Sequence, residues 1–230
     1  MPEQTSRRIL CLPGFAQNKD VFHSATLCLS QGLNPHGIEL EILPALHPCW
    51  NSGGATQAWC QSVPGQETLK FDQITKSIEY ILKHIHDNGP YACILGFSQG
   101  GCMVGILSYL LDNKCEHLAS FPNILNLPGP EESAHRKDPY KFICIGSYLS
   151  EDFISFITGK QLDSLSVSIT PAIKSLHVIG TNDTIVLPER SSKFALAFKD
   201  RKVFKHRGGH FVPYSSEFIS VVVGFVTQES

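Results

Sequence analysis

The sequence predicts an α/β protein with a mainly parallel central sheet of about six strands and helices on both faces. Short apolar runs of strand length alternate along the chain with longer segments whose apolar residues recur at helical spacing. Strands that alternate with helices pair in parallel through right-handed crossovers, which leave helices on both faces of the sheet. These elements and their loops take up nearly all of the 230 residues. We therefore predict one domain, residues 1–230, without a separate cap domain.

The first half of the chain holds three of the predicted strands. Residues 8–12 form an apolar run that ends at Pro13-Gly14. Residues 38–43 alternate apolar and polar side chains, which is typical of a more exposed strand at a sheet edge. A second apolar run covers residues 91–95 and follows Asn88-Gly89-Pro90, which stops the preceding helix. The positions of the apolar residues predict helices at residues 20–33, 71–86 and 101–111.

The second half adds three strands and two helices. The strands are predicted at residues 141–146, 175–180 and 202–205, and the helices at residues 189–198 and 218–226, the last despite its β-branched residues. Two other segments, residues 44–69 and 113–138, contain many turn residues and no clear period. Because no cap domain fits, these two segments would supply any lid over a functional site.

The composition excludes several classes of protein. The chain has 42% hydrophobic residues and a net charge of −2, whereas a disordered chain has few apolar residues and a large net charge. Its 19 basic and 21 acidic residues argue against a nucleic-acid partner, which requires a basic surface. No apolar run reaches the length of about 18 residues that a membrane-spanning helix needs, so we expect no membrane partner.

The cysteines and the start of the chain indicate a compartment. The eight cysteines form no C-x-x-C pair and no zinc-type spacing, which favours free buried thiols over disulfides or a metal site. No apolar stretch precedes a cleavage site near the start, so we expect no signal peptide. Both observations predict a reducing compartment, the cytoplasm, with the nucleus as an open alternative.

A serine occupies the turn between a predicted buried strand and an apolar helix, in the sequence Gly96-Phe97-Ser98-Gln99-Gly100. The glycines on either side remove side chains that would clash where the strand and the helix pack closely. Such a turn has a strained backbone and displays its serine at the edge of the sheet. We predict Ser98 as a nucleophile, in preference to an ordinary turn residue.

A serine nucleophile needs a base, and the base needs an orienting acid. In sheets of this kind the acid and then the histidine follow later strands. His210 fits the base, since it follows a strand and the glycines Gly208-Gly209, whereas His206 precedes them. Asp183 directly follows the strand at residues 175–180, and Asp152 is the alternative acid.

Three other histidines have simpler explanations. His177 lies within a predicted strand and is expected in the core. His84 and His86 lie near the end of a predicted helix and are expected in contact with solvent.

The loop after the first strand is the expected second half of an oxyanion hole. Leu12-Pro13-Gly14-Phe15-Ala16-Gln17 occupies this place, so the backbone N–H groups of Phe15 and Gln99 are the candidate donors. The substrate pocket would lie at the carboxyl ends of the strands. Its candidate wall residues, beside Phe15, are Trp50, Trp59, Tyr148, Val186 and Leu187. For the two tryptophans an equal alternative is that they anchor their loop on the sheet edge.

Together these motifs resemble the FSH serine hydrolases, small α/β-hydrolases related to the ovarian cancer-associated hydrolase and to fungal polyketide-releasing thioesterases. The resemblance spans residues 8–226 and includes Asn88-Gly89-Pro90-Tyr91 and the run from Gly208 to Pro213. It implies an α/β-hydrolase fold, with Ser98 as nucleophile, Asp183 as acid and His210 as base. Where members usually carry His-Gly-Phe, this chain has Pro13-Gly14-Phe15.

The predicted triad indicates acyl transfer to water through an acyl-enzyme, with carboxylic esters or acyl thioesters as substrates. The resemblance implies a carboxylesterase or acyl thioesterase. The chain contains neither G-x-G-x-x-G nor a phosphate-binding G-x-x-x-x-G-K-[ST], so we expect no cofactor and no metal. The expected partner is a small ester or thioester, for a monomer or homodimer. The alternative is a non-catalytic ligand-binding protein on the same scaffold.

Overall fold

The structure is a computed structural model that describes residues 7–49, 55–62, 67–112, 140–149, 153, 155 and 169–228. Eight strands lie in this part of the chain: β1 (Arg7–Leu12), β2 (Ile38–Ile42), β3 (His47–Pro48), β4 (Gln57–Ala58), β5 (Cys93–Phe97), β6 (Tyr140–Ile145), β7 (Ile169–Gly180) and β8 (Phe198–His206). The helices are α1 (Lys19–Leu33), α2 (Glu67–Asn88), α3 (Gln99–Asp112), α4 (Pro188–Leu196) and α5 (Ser216–Thr227), and a short 3-10 helix (Asn34–His36) follows α1.

Six of the strands form one parallel sheet in the order β2-β1-β5-β6-β7-β8. The predicted α/β class and six-stranded sheet are therefore confirmed, and β2 is an edge strand as its alternating pattern indicated. The other two strands, β3 and β4, form a small antiparallel pair within the segment 44–69, for which the sequence predicted no strand or helix. The segment 113–138 lies outside the described residues.

Alternate side chains of the strands fill two cores, one on each face of the sheet. Leu10 and Leu12 of β1 point into the core that α2, α3 and α4 cover, whereas Ile9 and Cys11 point into the core under α1 and α5. This alternation is the period-two pattern of a strand that is buried on both faces. The sheet therefore lies between two helical layers.

Several boundaries differ from the prediction, most clearly at β8. Its first residues, Phe198 to Lys202, carry four charged side chains, and the apolar pattern on which the prediction depended is absent there. Charged side chains suit an edge strand, because they discourage pairing with another chain. The predicted helix at residues 189–198 therefore ends too late, and the predicted strand at residues 202–205 is too short. By contrast, residues 218–226 are helical as predicted, and the Ser215 hydroxyl caps the helix through the Phe218 N–H.

None of the seven cysteines in the described part of the chain is in a disulfide; six of them are buried, as predicted, and Cys28 is exposed. None of the helices in the described ranges is both long and apolar enough to cross a membrane.

His177 lies in the core, as predicted, and its burial makes stability depend on pH. Its ring contacts the rings of Phe194 and Phe198 edge-on, with centroids 5.2 and 4.9 Å away. Burial, with a smaller contribution from the charge of Arg201, lowers the pKa of His177 to about 3. The unfolded chain therefore binds this proton first as the pH falls, and the folded state loses stability between the unfolded and folded pKa values.

We expect His177 to lower the free energy of unfolding by about 2 kcal/mol between pH 7 and pH 5, given an unfolded pKa of about 6.5. His177→Phe keeps an aromatic ring against Phe194 and Phe198 and removes the titrating group. Urea unfolding at both pH values should therefore show a smaller acid loss for the variant, by about that amount. Equal losses for the two proteins would show that His177 does not carry the effect.

Candidate active site

The candidate site lies at the carboxyl edge of the sheet. Because β1, β5, β6, β7 and β8 are parallel, the loops that follow them meet at this edge. Ser98 follows β5, Asp183 follows β7 and His210 follows β8. Residues that are far apart in sequence are thereby brought to one side of the molecule.

Ser98 occupies a tight turn between β5 and α3. Its φ of +53° is in the left-handed region, which non-glycine residues rarely adopt and which is common at functional sites. Its N–H donates to the carbonyl of Ile145 on β6 (2.9 Å), and its carbonyl accepts from Cys102 in the first turn of α3 (3.1 Å). A methyl group at Gly100 would lie 2.0 Å from the carbonyl oxygen of Leu12, so only glycine fits there. The local geometry is that of a serine displayed between strand and helix, as the sequence predicted.

Asp183 and His210 contact each other at the same edge. The distance from His210 Nδ1 to Asp183 Oδ2 is 2.7 Å, and the two side chains are 16% and 2% exposed. The imidazole also lies against the ring of Phe97, the residue before Ser98, with 4.9 Å between the centroids. Gly146, at the end of β6, lies beneath this pair: a methyl group there would be 3.1 Å from His210 Nδ1.

The second oxygen of Asp183 is held by the backbone of its own loop. Oδ1 accepts from the N–H groups of Ile185 and Val186, both at 2.9 Å. Oδ2 is thus oriented to accept a hydrogen bond from the Nδ1–H of His210, which leaves Nε2 as the proton acceptor of the ring. An imidazole in this tautomer can act as a general base.

The other candidate histidines do not occupy such a position. Nδ1 of His206 accepts from the Gly208 N–H (3.2 Å). Burial lowers the pKa of His206, against a smaller opposite effect of the charge of Asp183. Asp152, the alternative acid, lies outside the described residues.

His84 differs from its prediction as a solvated residue. Its Nε2 lies 2.9 Å from Glu41 Oε1 and 3.0 Å from the hydroxyl of Tyr91, and its side chain is partly buried. The Tyr91 hydroxyl donates to the same oxygen of Glu41 (2.8 Å). Because Tyr91 precedes β5 and Ser98 follows it, this polar cluster lies at the far end of that strand from the candidate site.

The loop after β1 lies directly over Ser98. A methyl group at Gly14 would be 3.2 Å from Ser98 Cβ. The next residue, Phe15, has a side chain that is 53% exposed, and Ala16 has a φ of +56°. Gln99 is the first residue of α3, where backbone N–H groups have no acceptor within the helix. Both predicted oxyanion donors therefore belong to loops that meet at Ser98.

Three of the predicted pocket residues lie on loops at the carboxyl edge of the sheet. Tyr148 is partly buried beneath the guanidinium of Arg190, 3.6 Å from the ring centroid. Val186 is buried in the Asp183 loop, and Leu187 is 51% exposed at the start of α4. These three lie on the loops of the carboxyl edge.

The two tryptophans give a different result. Trp59 is 0% exposed, and its indole Nε1 donates to the carbonyl of Pro13 (2.8 Å). Its prediction as a pocket wall residue is therefore replaced by the alternative, that it anchors its loop. Trp50 lies outside the described residues.

Sequence reasoning missed the two amides that organise the loops, those of Gln17 and Gln99. The Gly14 N–H donates to Gln17 Oε1 (2.7 Å), and the Gln99 amide contacts the backbone of residues 59 and 60. The three-residue spacing from Gly14 to Gln17 is a local signal for the first contact. The second joins residues 40 positions apart, for which a single sequence carries no signal. In the described ranges, no three His, Cys, Asp or Glu side chains cluster closely enough to hold a metal ion.

The sequence is similar to known serine hydrolases and esterases. A family model described as "Serine hydrolase (FSH1)" matches residues 1–222. Among curated proteins, Esterase OVCA2 of Danio rerio is 28% identical over 233 residues, which cover 91% of this chain and 91% of the relative. Family of serine hydrolases 2 of Saccharomyces cerevisiae is 27% identical over 245 residues, which cover 97% of this chain and 99% of the relative.

Solved structures show the same fold. A CIB-like hydrolase of Thermoplasma acidophilum superposes with a TM-score of 0.57 at 16% identity, over 98% of this chain and 88% of the other. Esterase PE8 gives a TM-score of 0.55 at 13% identity, over 96% and 92%. At these identities the likeness concerns the fold alone, which is the α/β-hydrolase fold.

Proposed function

The chain belongs to the FSH1 family of serine hydrolases, and from this we propose that it cleaves carboxylic esters or acyl thioesters through a triad of Ser98, His210 and Asp183. The observation that carries the proposal is the 2.7 Å contact between His210 and the buried Asp183, beside the turn that displays Ser98. The naming of its relatives as esterases and serine hydrolases supports a hydrolase activity.

The proposed reaction assigns one role to each of the three side chains. His210 Nε2 takes the proton of Ser98 Oγ as the oxygen attacks the acyl carbonyl. The tetrahedral intermediate then expels the alcohol or thiol, which leaves with the proton from His210. A water molecule then attacks the acyl-enzyme while His210 takes its proton. The carboxylic acid leaves, and Ser98 regains its proton from His210. Asp183 stabilises the imidazolium in both halves of the reaction, without taking its proton.

The oxyanion of each intermediate requires hydrogen-bond donors placed in advance. We assign this role to the N–H groups of Phe15 and Gln99, since their loops meet over Ser98. Gln99 also begins α3, and the partial positive charge at the start of that helix favours an anion there.

The rim of the site favours an apolar acyl group. Phe15, Ile185, Leu187 and Phe211 come from the three loops that carry the oxyanion donor, the acid and the base, and each is exposed. Exposed apolar side chains on the loops that carry a reactive group are typical of a substrate-binding surface. Because an alcohol or a thiol departs more readily than an amine, esters and thioesters suit the site better than amides. The proposed reaction requires no metal and no cofactor.

A fluorophosphonate probe tests the nucleophile. We expect one label for each chain, which peptide mass spectrometry places on Ser98, and we expect no label on Ser98→Ala. Labelling that persists in the alanine variant, or that maps to another residue, would contradict the proposal.

The class of substrate can be tested by measuring the hydrolysis of matched oxygen and sulfur esters. Oxygen and sulfur esters of increasing acyl-chain length should show turnover that increases from acetyl to longer chains, given the apolar rim. If the protein did not react with the fluorophosphonate and bound these esters tightly without turnover, the ligand-binding alternative would be supported instead.

A further inference from the structure

The two proposed oxyanion donors belong to loops that are separate in sequence. Phe15 follows β1, and Gln99 follows β5. Such donors stabilise the transition state only if their spacing is set before the reaction. The segment that holds Trp59 lies between the two loops, and it contacts both.

The Gln99 side chain forms the first contact. Its Oε1 accepts from the Trp59 N–H (2.9 Å), and its Nε2 donates to the Cys60 carbonyl (2.8 Å). The oxygen and the nitrogen of the amide thus each form a hydrogen bond with the backbone, at two consecutive residues. This pair of hydrogen bonds fixes residues 59 and 60 to the start of α3, which carries the Gln99 N–H.

The Trp59 indole forms the second contact, to the Pro13 carbonyl at 2.8 Å. That carbonyl belongs to the peptide group between Pro13 and Gly14, whose N–H donates to Gln17 Oε1 at 2.7 Å. A peptide group is planar, so two hydrogen bonds at its opposite ends fix its orientation. The next N–H along the chain is that of Phe15, whose direction therefore depends on this peptide.

The segment that carries the indole is itself firmly held. The Ser77 hydroxyl of α2 donates to the Trp59 carbonyl (2.7 Å), and the Gln61 N–H donates to Gln73 Oε1 (2.8 Å). The Trp59 side chain is 0% exposed, so no water competes for its N–H. A buried and fully bonded indole is a rigid spacer.

We infer that Trp59 is a positioning residue: its indole, together with the Gln99 amide, sets the spacing of the Phe15 and Gln99 N–H donors around the oxyanion. This inference rests on the proposed function, because it concerns the same site. Trp59 touches neither substrate nor reacting atoms in this assignment. It acts through the Pro13–Gly14 peptide, and its loss should therefore lower kcat and leave KM nearly unchanged.

Trp59→Phe tests the inference, because phenylalanine retains an aromatic ring and removes the N–H. Direct removal of an oxyanion donor costs about 100- to 1000-fold in kcat, so a displaced donor should cost about 10- to 100-fold. The measurement is kcat and KM for p-nitrophenyl butyrate with the full chain. KM should change by less than about 3-fold, as expected for an interaction that acts mainly in the transition state.

The matched control is Tyr91→Phe, which also removes one hydrogen-bond donor from a buried aromatic residue. Tyr91 lies at the far end of β5, so its variant should lose comparable stability in urea and keep kcat within about 2-fold. An equal loss of kcat in both variants would show that lost stability, and not loop position, is responsible, and would overturn the inference.

Gln17→Met supplies a second route if Trp59→Phe does not fold. It removes the other hydrogen bond of the same peptide group, so it should also lower kcat at constant KM. Where Trp59→Phe does fold, the double variant should lose less than the product of the two single losses, because both residues orient one peptide. Multiplicative losses, or an unchanged kcat in Gln17→Met, would overturn the inference.

The inference and the proposed function fail differently. If the native chain neither hydrolyses esters nor labels at Ser98, the proposed function is wrong. If the native chain does both, and Trp59→Phe keeps its kcat, only the inference is wrong.

Discussion

Ser98→Ala is expected to lower kcat for ester hydrolysis by about a million-fold, the loss typical of removing the nucleophile from such a triad. Alanine at this position retains the backbone of the turn and lacks only the oxygen that attacks the acyl carbon. The proposed pocket and oxyanion donors remain, so a slow reaction with water can continue. Steady-state hydrolysis of p-nitrophenyl esters by the purified variant measures the loss.

A second serine at the same edge provides the control. Ser147 follows β6 and is buried, and a methyl group at Gly101 of α3 would lie 2.4 Å from its hydroxyl. Ser147→Ala should keep kcat within a few-fold, because this hydroxyl takes no part in the proposed reaction. If Ser98→Ala kept more than about one hundredth of the native kcat, acyl transfer through Ser98 would not be the main route.

Asp183→Asn is expected to lower kcat by about ten thousand-fold with little change in KM. Oδ1 accepts two backbone N–H groups, those of Ile185 and Val186, so an asparagine keeps its oxygen there. Its NH₂ group then faces Nδ1 of His210, where the carboxylate now accepts a hydrogen bond. An NH₂ donor holds the imidazole with Nδ1 as acceptor and Nε2 protonated, and such a ring cannot take the Ser98 proton.

Asp87→Asn is the matched control for this prediction. It also replaces a carboxylate by an amide, but at the exposed end of α2, where Asp87 pairs with Lys83 (2.5 Å). Exposed pairs contribute little, so both stability and kcat should stay near the native values. If Asp183→Asn kept kcat within about ten-fold of the native enzyme, His210 would not depend on Asp183 for its orientation.

The sequence was most informative where burial dictated residue type. The buried strands β1, β5 and β6 are short apolar runs, and their positions were predicted to within about two residues. The edge strand β8 was predicted less well, because its charged first half has no apolar pattern. The strands β3 and β4 have only two residues each, too few for any periodicity to appear.

The candidate site divides in the same way. Ser98, Asp183 and His210 could be placed because each follows a strand in a loop that contains glycine or turn residues, and parallel strands bring such loops to one edge. Trp59 could not be assigned from sequence, since a tryptophan in a loop suits a pocket wall as well as an anchor. Only its burial and its contact with Pro13 decide between the two.

The sequence by itself determined the α/β class, the sheet of six strands, and which three side chains stand at its carboxyl edge. These properties depend on the local pattern of apolar residues and on the rules of parallel strand pairing, and a single sequence is enough to apply both. The tertiary structure alone decided how the loop after β1 is held: the Trp59 indole, 46 residues away along the chain, bonds to Pro13, and the Gln99 amide bonds to the backbone of residues 59 and 60. Such contacts join surfaces that meet only after folding, and a hydrogen bond between distant residues leaves no period or spacing in the sequence.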